Sequence, residues 1–209
     1  MRSRFGSTIL AAALFMFLAG PLAGQVTGGP RAGISISNLG GDDISGTDSR
    51  TGLVVGWAFG VQGGERWSIQ PEFHYWEKGA STRFFGVQTD LDLSYLEVPV
   101  LLRVDLTQGS SFTPHVLVGP TFGINLTCTA RVSAGPFSGE QDCADRENFD
   151  VNALDFGVAA GFGVSADMGG WDLSADARYG IGLADVLDRV NVRNRGFGLL
   201  VGASFPLTR

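Results

Sequence analysis

The chain has 209 residues, 44% of them hydrophobic and 17% charged, and its 21 acidic side chains outnumber 15 basic ones for a formal net charge of −6. That balance argues against a nucleic acid as partner. The 31 glycines, 15 phenylalanines and single lysine, Lys78, with no helical heptad, low-complexity tract or linker, indicate one β-rich domain.

Met1-Arg2-Ser3-Arg4, the apolar run from Thr8 to Ala19 and the small residues before Gln25 read as a secretory signal peptide over residues 1–24. The apolar core is short for a membrane span, which needs about 20 residues. Residues 25–209 then form the folded domain, and cleavage removes two arginines, making it more acidic.

Strand one is predicted over 30–38, with Ala32, Ile34 and Ile36 on one face and Arg31, Gly33, Ser35 and Ser37 on the other. A polar loop, 40–50, carries Asp42, Asp43 and Asp48, whose spacing matches no EF-hand loop and which read as a solvated acidic loop. Strand two, 51–61, sets Leu53, Val55, Trp57, Phe59 and Val61 against Gly52, Gly56 and Gly60. After the tight turn 62–65, strand three, 66–77, sets Trp67, Ile69, Phe73 and Tyr75 against Ser68, Gln70, Glu72, His74 and Trp76. A longer loop is expected over 78–89.

Strand four alternates Leu96, Val98, Val100, Leu102, Val104 and Leu106 with Glu97, Pro99, Leu101, Arg103 and Asp105. Leu91, Leu93 and Tyr95 sit on the opposite parity, so either a β-bulge falls near Tyr95-Leu96 or the strand leaves the membrane there. Pro99 asks for a bulge or a missing ladder bond. Past the tight turn 107–110, strand five places Phe112, Pro114, Val116, Val118, Phe122, Ile124 and Leu126 opposite Thr113, His115, Gly119, Thr121, Gly123 and Asn125. The longest loop is expected over 127–151.

The clearest pattern lies between Leu154 and Leu183. Leu154, Phe156, Val158, Ala160, Phe162, Val164, Ala166 and Met168 alternate with small or polar residues; Gly169-Gly170 intervenes, and Trp171, Leu173, Ala175, Ala177, Tyr179, Ile181 and Leu183 continue on the flipped parity. A two-residue turn at Gly169-Gly170 puts both apolar sets on one face of a hairpin. The other face is glycine- and alanine-rich, unlike a solvated surface and suited to a crowded lumen, so the apolar face points into lipid. A loop over 185–193 precedes strand eight, where Phe197, Leu199, Val201, Ala203 and Phe205 face outward.

The connections alternate long and short, and the strand number is even. The expected fold class is all-β: an eight-stranded antiparallel up-and-down transmembrane β-barrel whose interior side chains can fill.

Gln70-Pro71-Glu72-Phe73-His74-Tyr75, Lys78-Gly79-Ala80, Tyr95-Leu96-Glu97-Val98-Pro99-Val100-Leu101-Leu102, Gly119-Pro120 and Ala177-Arg178-Tyr179-Gly180-Ile181-Gly182-Leu183 resemble the PorT-like outer-membrane β-barrel family, often labelled porin family. The resemblance covers most of the mature chain and implies an eight-stranded barrel in the bacterial outer membrane. The namesake's link to protein secretion is not carried over. The long cysteine-containing loop departs from the family pattern.

Glu72, Glu97, Asp176 and Arg178 all fall on inward parity near mid-strand. They are expected to form a polar network in the lumen that neutralises buried charge, with Arg178 paired to Glu72 or Glu97 and Asp176 nearby. His74 and His115 are also inward but expected toward opposite ends, a poor metal pair. Cys128 and Cys143, the only cysteines in an exported chain, are expected to form a disulfide that folds the longest loop toward the rim.

The function expected is that of a non-enzymatic structural or interaction barrel with no cofactor or metal. It is embedded in outer-membrane lipid, works as a monomer, and meets envelope or surface components through its outer loops. The alternatives are a small-solute channel and a lipid-modifying enzyme of the outer leaflet, the latter wanting a Ser or Asp beside a His near the outer rim.

Overall fold

The computed structural model describes residues 25–40, 48–135, 137–143, 152–184 and 193–208. The proposed signal peptide and Asp42 and Asp43 lie outside the described residues. Nine strands are seen: β1 (Val26–Gly40), β2 (Asp48–Gln62), β3 (Trp67–Phe84), β4 (Val87–Asp105), β5 (Phe112–Ala134), β6 (Phe137–Asp142), β7 (Leu154–Asp167), β8 (Asp172–Gly182) and β9 (Arg193–Pro206).

Eight of them make a closed antiparallel ring. Each strand pairs with its sequence neighbour except that β5 pairs with β7, and β1 closes the ring on β9 through pairs such as Ala32 with Val201. β6 stands outside the ring and, among the described residues, pairs only with the outer half of β5. Closure leaves no sheet edge in the hydrocarbon, the condition for a β-structure to span a bilayer.

The two faces separate as the period-2 pattern requires. On β2, Val54 is 0% exposed and Ala58 3%, while Leu53 and Trp57 on the other face are 47% and 42% exposed. The same outward face carries Phe73, Val118, Phe122, Val158, Ile181, Leu199 and Val201 around the ring. A water-soluble protein would not leave so continuous an apolar band uncovered. Near the end with the short turns, Trp171 stacks on Phe205 at 5.8 Å between ring centroids, one piece of an interfacial aromatic girdle.

The short turns lie where the pattern places them. Gly169 and Gly170, with φ of 78° and 125°, supply the left-handed backbone that the β7–β8 turn needs, and Met168 N–H donates to the Trp171 carbonyl at 2.9 Å.

At the outer end the structure corrects the predicted loops. The loop expected over 78–89 is a hairpin: β3 runs to Phe84, β4 starts at Val87, and Phe85-Gly86 alone form the turn. The loop expected over 127–151 begins as ordered sheet, because β5 continues to Ala134 and returns as β6. Cys128 therefore lies inside β5 rather than at its end. Polar, β-compatible residues such as Thr127, Thr129 and Ser133 form strands here without the apolar alternation that marks a lipid-facing segment.

The irregularity expected near Tyr95-Leu96 is present, on the partner strand. The β4–β5 register shifts between Ser94, opposite Thr127, and Tyr95, opposite Asn125, so Leu126 is the extra residue. Leu93 and Tyr95 need no bulge of their own; both are buried on the lumen side. Pro99 pairs with Thr121, and Pro71 with Val100, with no register shift at either proline.

Cys128 and Cys143 are joined in a disulfide, their Cα atoms 5.4 Å apart. It follows directly on the β5–β6 ladder, whose last pair is Thr129 with Asp142, and so clamps the base of that hairpin. In the chain-entropy account a loop of this length contributes about 3 kcal/mol.

Substituting the lipid face tests the assignment of inside and outside. Val201→Arg should lower barrel stability by about 2–4 kcal/mol in a urea-unfolding assay in lipid. Gly139→Arg, in the exposed β6 where an added Cβ meets nothing within 4 Å, should be close to neutral. Equal tolerance at both positions would place Val201 in water.

Candidate functional site

Two lumen clusters gather titratable side chains of the inward parity, apart from the Arg103–Asp105 pair nearer the periplasmic end. In the first, Glu72 and His74 come from β3, Asp176 and Arg178 from β8, Arg31 from β1 and His115 from β5, all buried. Arg178 reaches Glu72 with both terminal nitrogens, Nη1 to Oε2 at 2.5 Å and Nη2 to Oε1 at 3.0 Å, and also gives Nη2 to Asp176 Oδ2 at 2.9 Å. Arg31 Nη1 pairs with the same Asp176 oxygen, and its Nε lies 3.5 Å from Glu72 Oε1.

Two guanidinium groups thus straddle two carboxylates. The planar fork of arginine suits this role, since one side chain serves both acids. Gln70 donates to Glu72 Oε1 at 2.6 Å and His115 Nε2 to Asp176 Oδ1 at 2.7 Å. Gly163 stands between His115 and Asp176 in the ladder, and a Cβ on it would land on Asp176 Oδ1 and His115 Nε2. That close approach is why glycine stands there.

The second cluster sits nearer the outer end. Lys78 Nζ lies 2.6 Å from Glu97 Oε2 and 3.4 Å from Asp155 Oδ2, with its ammonium 5.0 Å from the Tyr95 ring centroid. Asn194 donates to Asp155 Oδ2 at 2.9 Å and to Tyr95 Oη at 3.2 Å.

The structure therefore brings Glu72, Asp176 and Arg178 together and sets Glu97 apart from them, against Lys78. His74 and His115 are not at opposite ends: His74 Nε2 is 3.4 Å from Glu72, and His115 serves Asp176 in the same cluster. Strand tilt brings the two together, because residues at different steps along separate strands reach one height. Sequence reasoning did not single out Arg31, Lys78, Asp155 or Asn194. Arg31 and Lys78 were findable: Arg31 shares parity with Gly33 and Ser35, and Lys78 continues the series Gln70, Glu72, His74, Trp76. Asp155 and Asn194 were findable too: Asp155 shares parity with Gly157 and Gly161, and Asn194 with Gly196 and Gly198.

The first cluster divides the lumen. On its periplasmic side a polar cavity of about 350 Å³ is lined by Gln70, Arg103, Asp105, Asp172 and Ser174. On its outer side only about 40 Å³ remains, beside Trp76, Lys78, Glu97 and Asp155. Among the described residues no group of three or more His, Cys, Asp or Glu side chains could hold a metal ion. Neither histidine has a serine or threonine hydroxyl as hydrogen-bond partner among the described residues. The arrangement sets two guanidinium groups against two carboxylates in the middle of the lumen, each charge facing its opposite.

Charges beyond the lipid are also paired. In the outer sheet Asp90 accepts from Ser81 and from Gln88 at 3.0 Å, with Arg50 Nη1 at 3.4 Å. Burial pushes its carboxyl up, but the bonds from Ser81 and Gln88 and the charge of Arg50 outweigh that and hold it below the usual aspartate range. At the periplasmic mouth Asp172 stands directly opposite Asp167. Two like charges directly opposite each other repel.

A closed ring of eight antiparallel strands with an apolar outer face and an ion-paired lumen defines a small outer-membrane β-barrel. The chain belongs to the outer membrane protein beta-barrel domain family, whose model matches residues 22–188, and it resides in the bacterial outer membrane. Among solved structures it is similar to the outer membrane protein OprG of Pseudomonas aeruginosa, at 14% identity and a TM-score of 0.56, covering 90% of this chain and 97% of that one. Neisserial surface protein A is similar too, at 14% identity and a TM-score of 0.53, covering 86% and 97%. At such identity the likeness extends to the fold. No curated protein matches the chain.

Two substitutions probe the charged groups. Arg178→Ala leaves Glu72 and Asp176 with only Arg31 between them and should destabilise the barrel by about 3–5 kcal/mol in urea unfolding. The paired change Arg178→Met with Glu72→Gln should cost less, because it removes a charge of each sign. Asp172→Asn should act oppositely. Asp172 faces Asp167 across the ladder and the two ionised carboxylates repel, so the variant should be more stable than the parent near neutral pH. That gain should vanish below the ordinary aspartate range, where both forms are neutral; a pH series of unfolding midpoints reads it directly.

Proposed function

We propose that the protein is a non-enzymatic structural or interaction barrel of the PorT-like type, with a side-chain-filled lumen and outward hairpins that make its contacts. It is exported by a signal peptide at residues 1–24 and works as a monomer. One observation carries the reading: the four ion-paired side chains Arg31, Glu72, Asp176 and Arg178 fill the lumen at mid-height, each at most 4% exposed. Opening a water path there means separating two arginines from two carboxylates in a confined, poorly hydrated space, which is expensive. An eight-stranded ring has just enough interior for such side chains.

A small-solute channel is the second reading, favoured by the periplasmic cavity of about 350 Å³. It ends on the charged cluster, so it is a blind vestibule in the first reading and half a pore in the second. Purified protein in planar bilayers should show no steady conductance steps, and Arg178→Ala should raise the frequency of brief openings. Stable open channels in the parent protein would favour the channel.

A further inference from the structure

Above the bulge at Leu126, strands β3, β4, β5 and β6 continue as a four-stranded sheet, whose lower rungs still carry the start of β2 through Asp48–Ser81 and Ser49–Ala80. Its outermost rung is apolar throughout: Phe84 pairs with Val87, Val87 with Ala134, and Ala134 with Phe137. The next rung, Arg83, Gln88, Ser133 and Ser138, is polar throughout. Phe85, in the turn beyond the last rung, is 92% exposed, and Phe137 is 77% exposed. The sheet ends in an apolar crest on a polar stalk.

The crest stands clear of the lipid belt of its own barrel. From the rung of Ser94 and Thr127 to that of Val87 and Ala134 is about 23 Å along the strand at ~3.3 Å per residue. Phe85 has φ 46° and precedes Gly86 at φ 79°, a turn in which Asn, Asp or Gly is the easy choice and a bulky side chain is disfavoured.

We propose that this crest inserts into the headgroup region of an anionic lipid bilayer facing the outer end of the barrel, Phe85 and Phe137 entering the apolar boundary and Arg83 meeting lipid phosphate. Shape and charge select a bilayer over a protein. A stable protein interface covers about 800 Å² per partner with a complementary surface, whereas the crest is a narrow convex row of a few side chains. A lipid surface needs no matching pocket; aromatics with adjacent arginine are the side chains that partition to its interface. Arg83 donates to Gln88 at 2.9 Å and makes no ion pair among the described residues. Asp90, on the third rung below the crest, is already engaged by Ser81, Gln88 and Arg50. The tip is therefore cationic and apolar, the complement of an anionic interface. The Cys128–Cys143 bridge fixes the β5–β6 hairpin that carries Phe137.

This inference rests on the interaction-barrel reading, and the two fail separately, because conductance reports the lumen and vesicle binding reports the crest. The probe is the full mature protein in phosphatidylcholine nanodiscs, floated with vesicles of phosphatidylglycerol and phosphatidylcholine in equal parts, or of phosphatidylcholine alone. Empty nanodiscs serve as the blank. The parent protein should float with the anionic vesicles and bind the neutral ones more weakly. Phe85→Ser with Phe137→Ser should lower anionic-vesicle binding by about tenfold or more, the loss expected for removing two buried aromatics from an interface. Arg83→Gln should remove the preference for anionic lipid. Heat-modifiable gel mobility establishes that each variant retains a folded barrel. No binding by the parent, or equal binding by the parent and the double serine variant, would overturn the proposal. Self-association of the nanodiscs in place of vesicle binding, abolished by the same serines, would also overturn it and assign the crest to a second copy of the chain.

Discussion

Everything in this molecule depends on the pairing of β1 with β9. In hydrocarbon a backbone N–H or C=O has no solvent to turn to, so a sheet with an open edge is untenable there. The pairs from Thr27–Pro206 to Gly40–Arg193 remove that edge and make the ring continuous. Local features obey the same constraint. Pro71 and Pro99 sit in the sheet without shifting its register, and the extra residue, Leu126, falls where the lipid face ends and the outer sheet begins.

Closing the ring at eight strands leaves little room inside, and that decides what the lumen contains. Side chains crowd the interior, so Gly198 of β9 faces the Trp76 ring from three strands away, and Gly163 faces its two cross-strand partners, Asp176 and His115, with no space for a methyl group. Charges enclosed this tightly must be balanced nearby. The first cluster does this with two arginines against two carboxylates, and the second sets Lys78 between Glu97 and Asp155. The same proximity that obliges glycine on one wall lets an arginine fork bridge acids on two strands. A wider ring would have hydrated these groups instead.

The lipid-spanning part was legible because burial against lipid on one side and a crowded lumen on the other imposes strict alternation. Leu154 to Leu183 shows both strands, the turn and the face of each residue. The outer sheet was not legible for the converse reason. Thr82, Thr89 and Ser133 face water, nothing imposes a period, and a polar strand reads as a loop. Parity identified Glu72, Glu97, Asp176 and Arg178 as inward residues, but pairing depends on strand tilt and stagger, which no single strand encodes. So the sequence could not tell that Glu97 belongs with Lys78, or that His74 and His115 share a cluster. The Phe84-Phe85-Gly86-Val87 segment holds a turn signal in its glycine, masked by an aromatic at the position where a small polar residue is usual.

That the outer end is sheet rather than irregular loop changes what it can do. A mobile loop that docks must lose its conformational freedom at the moment of binding, at roughly 1–2 kcal/mol per ordered residue. Here the residues of β3 to β6 are ordered already, by ladder hydrogen bonds continuous with the barrel and by the Cys128–Cys143 bridge. The tip of the sheet is therefore held at a fixed height and orientation relative to the membrane that anchors it. A contact made by only a few side chains can then be useful, because little of its free energy is spent on ordering the chain that presents it.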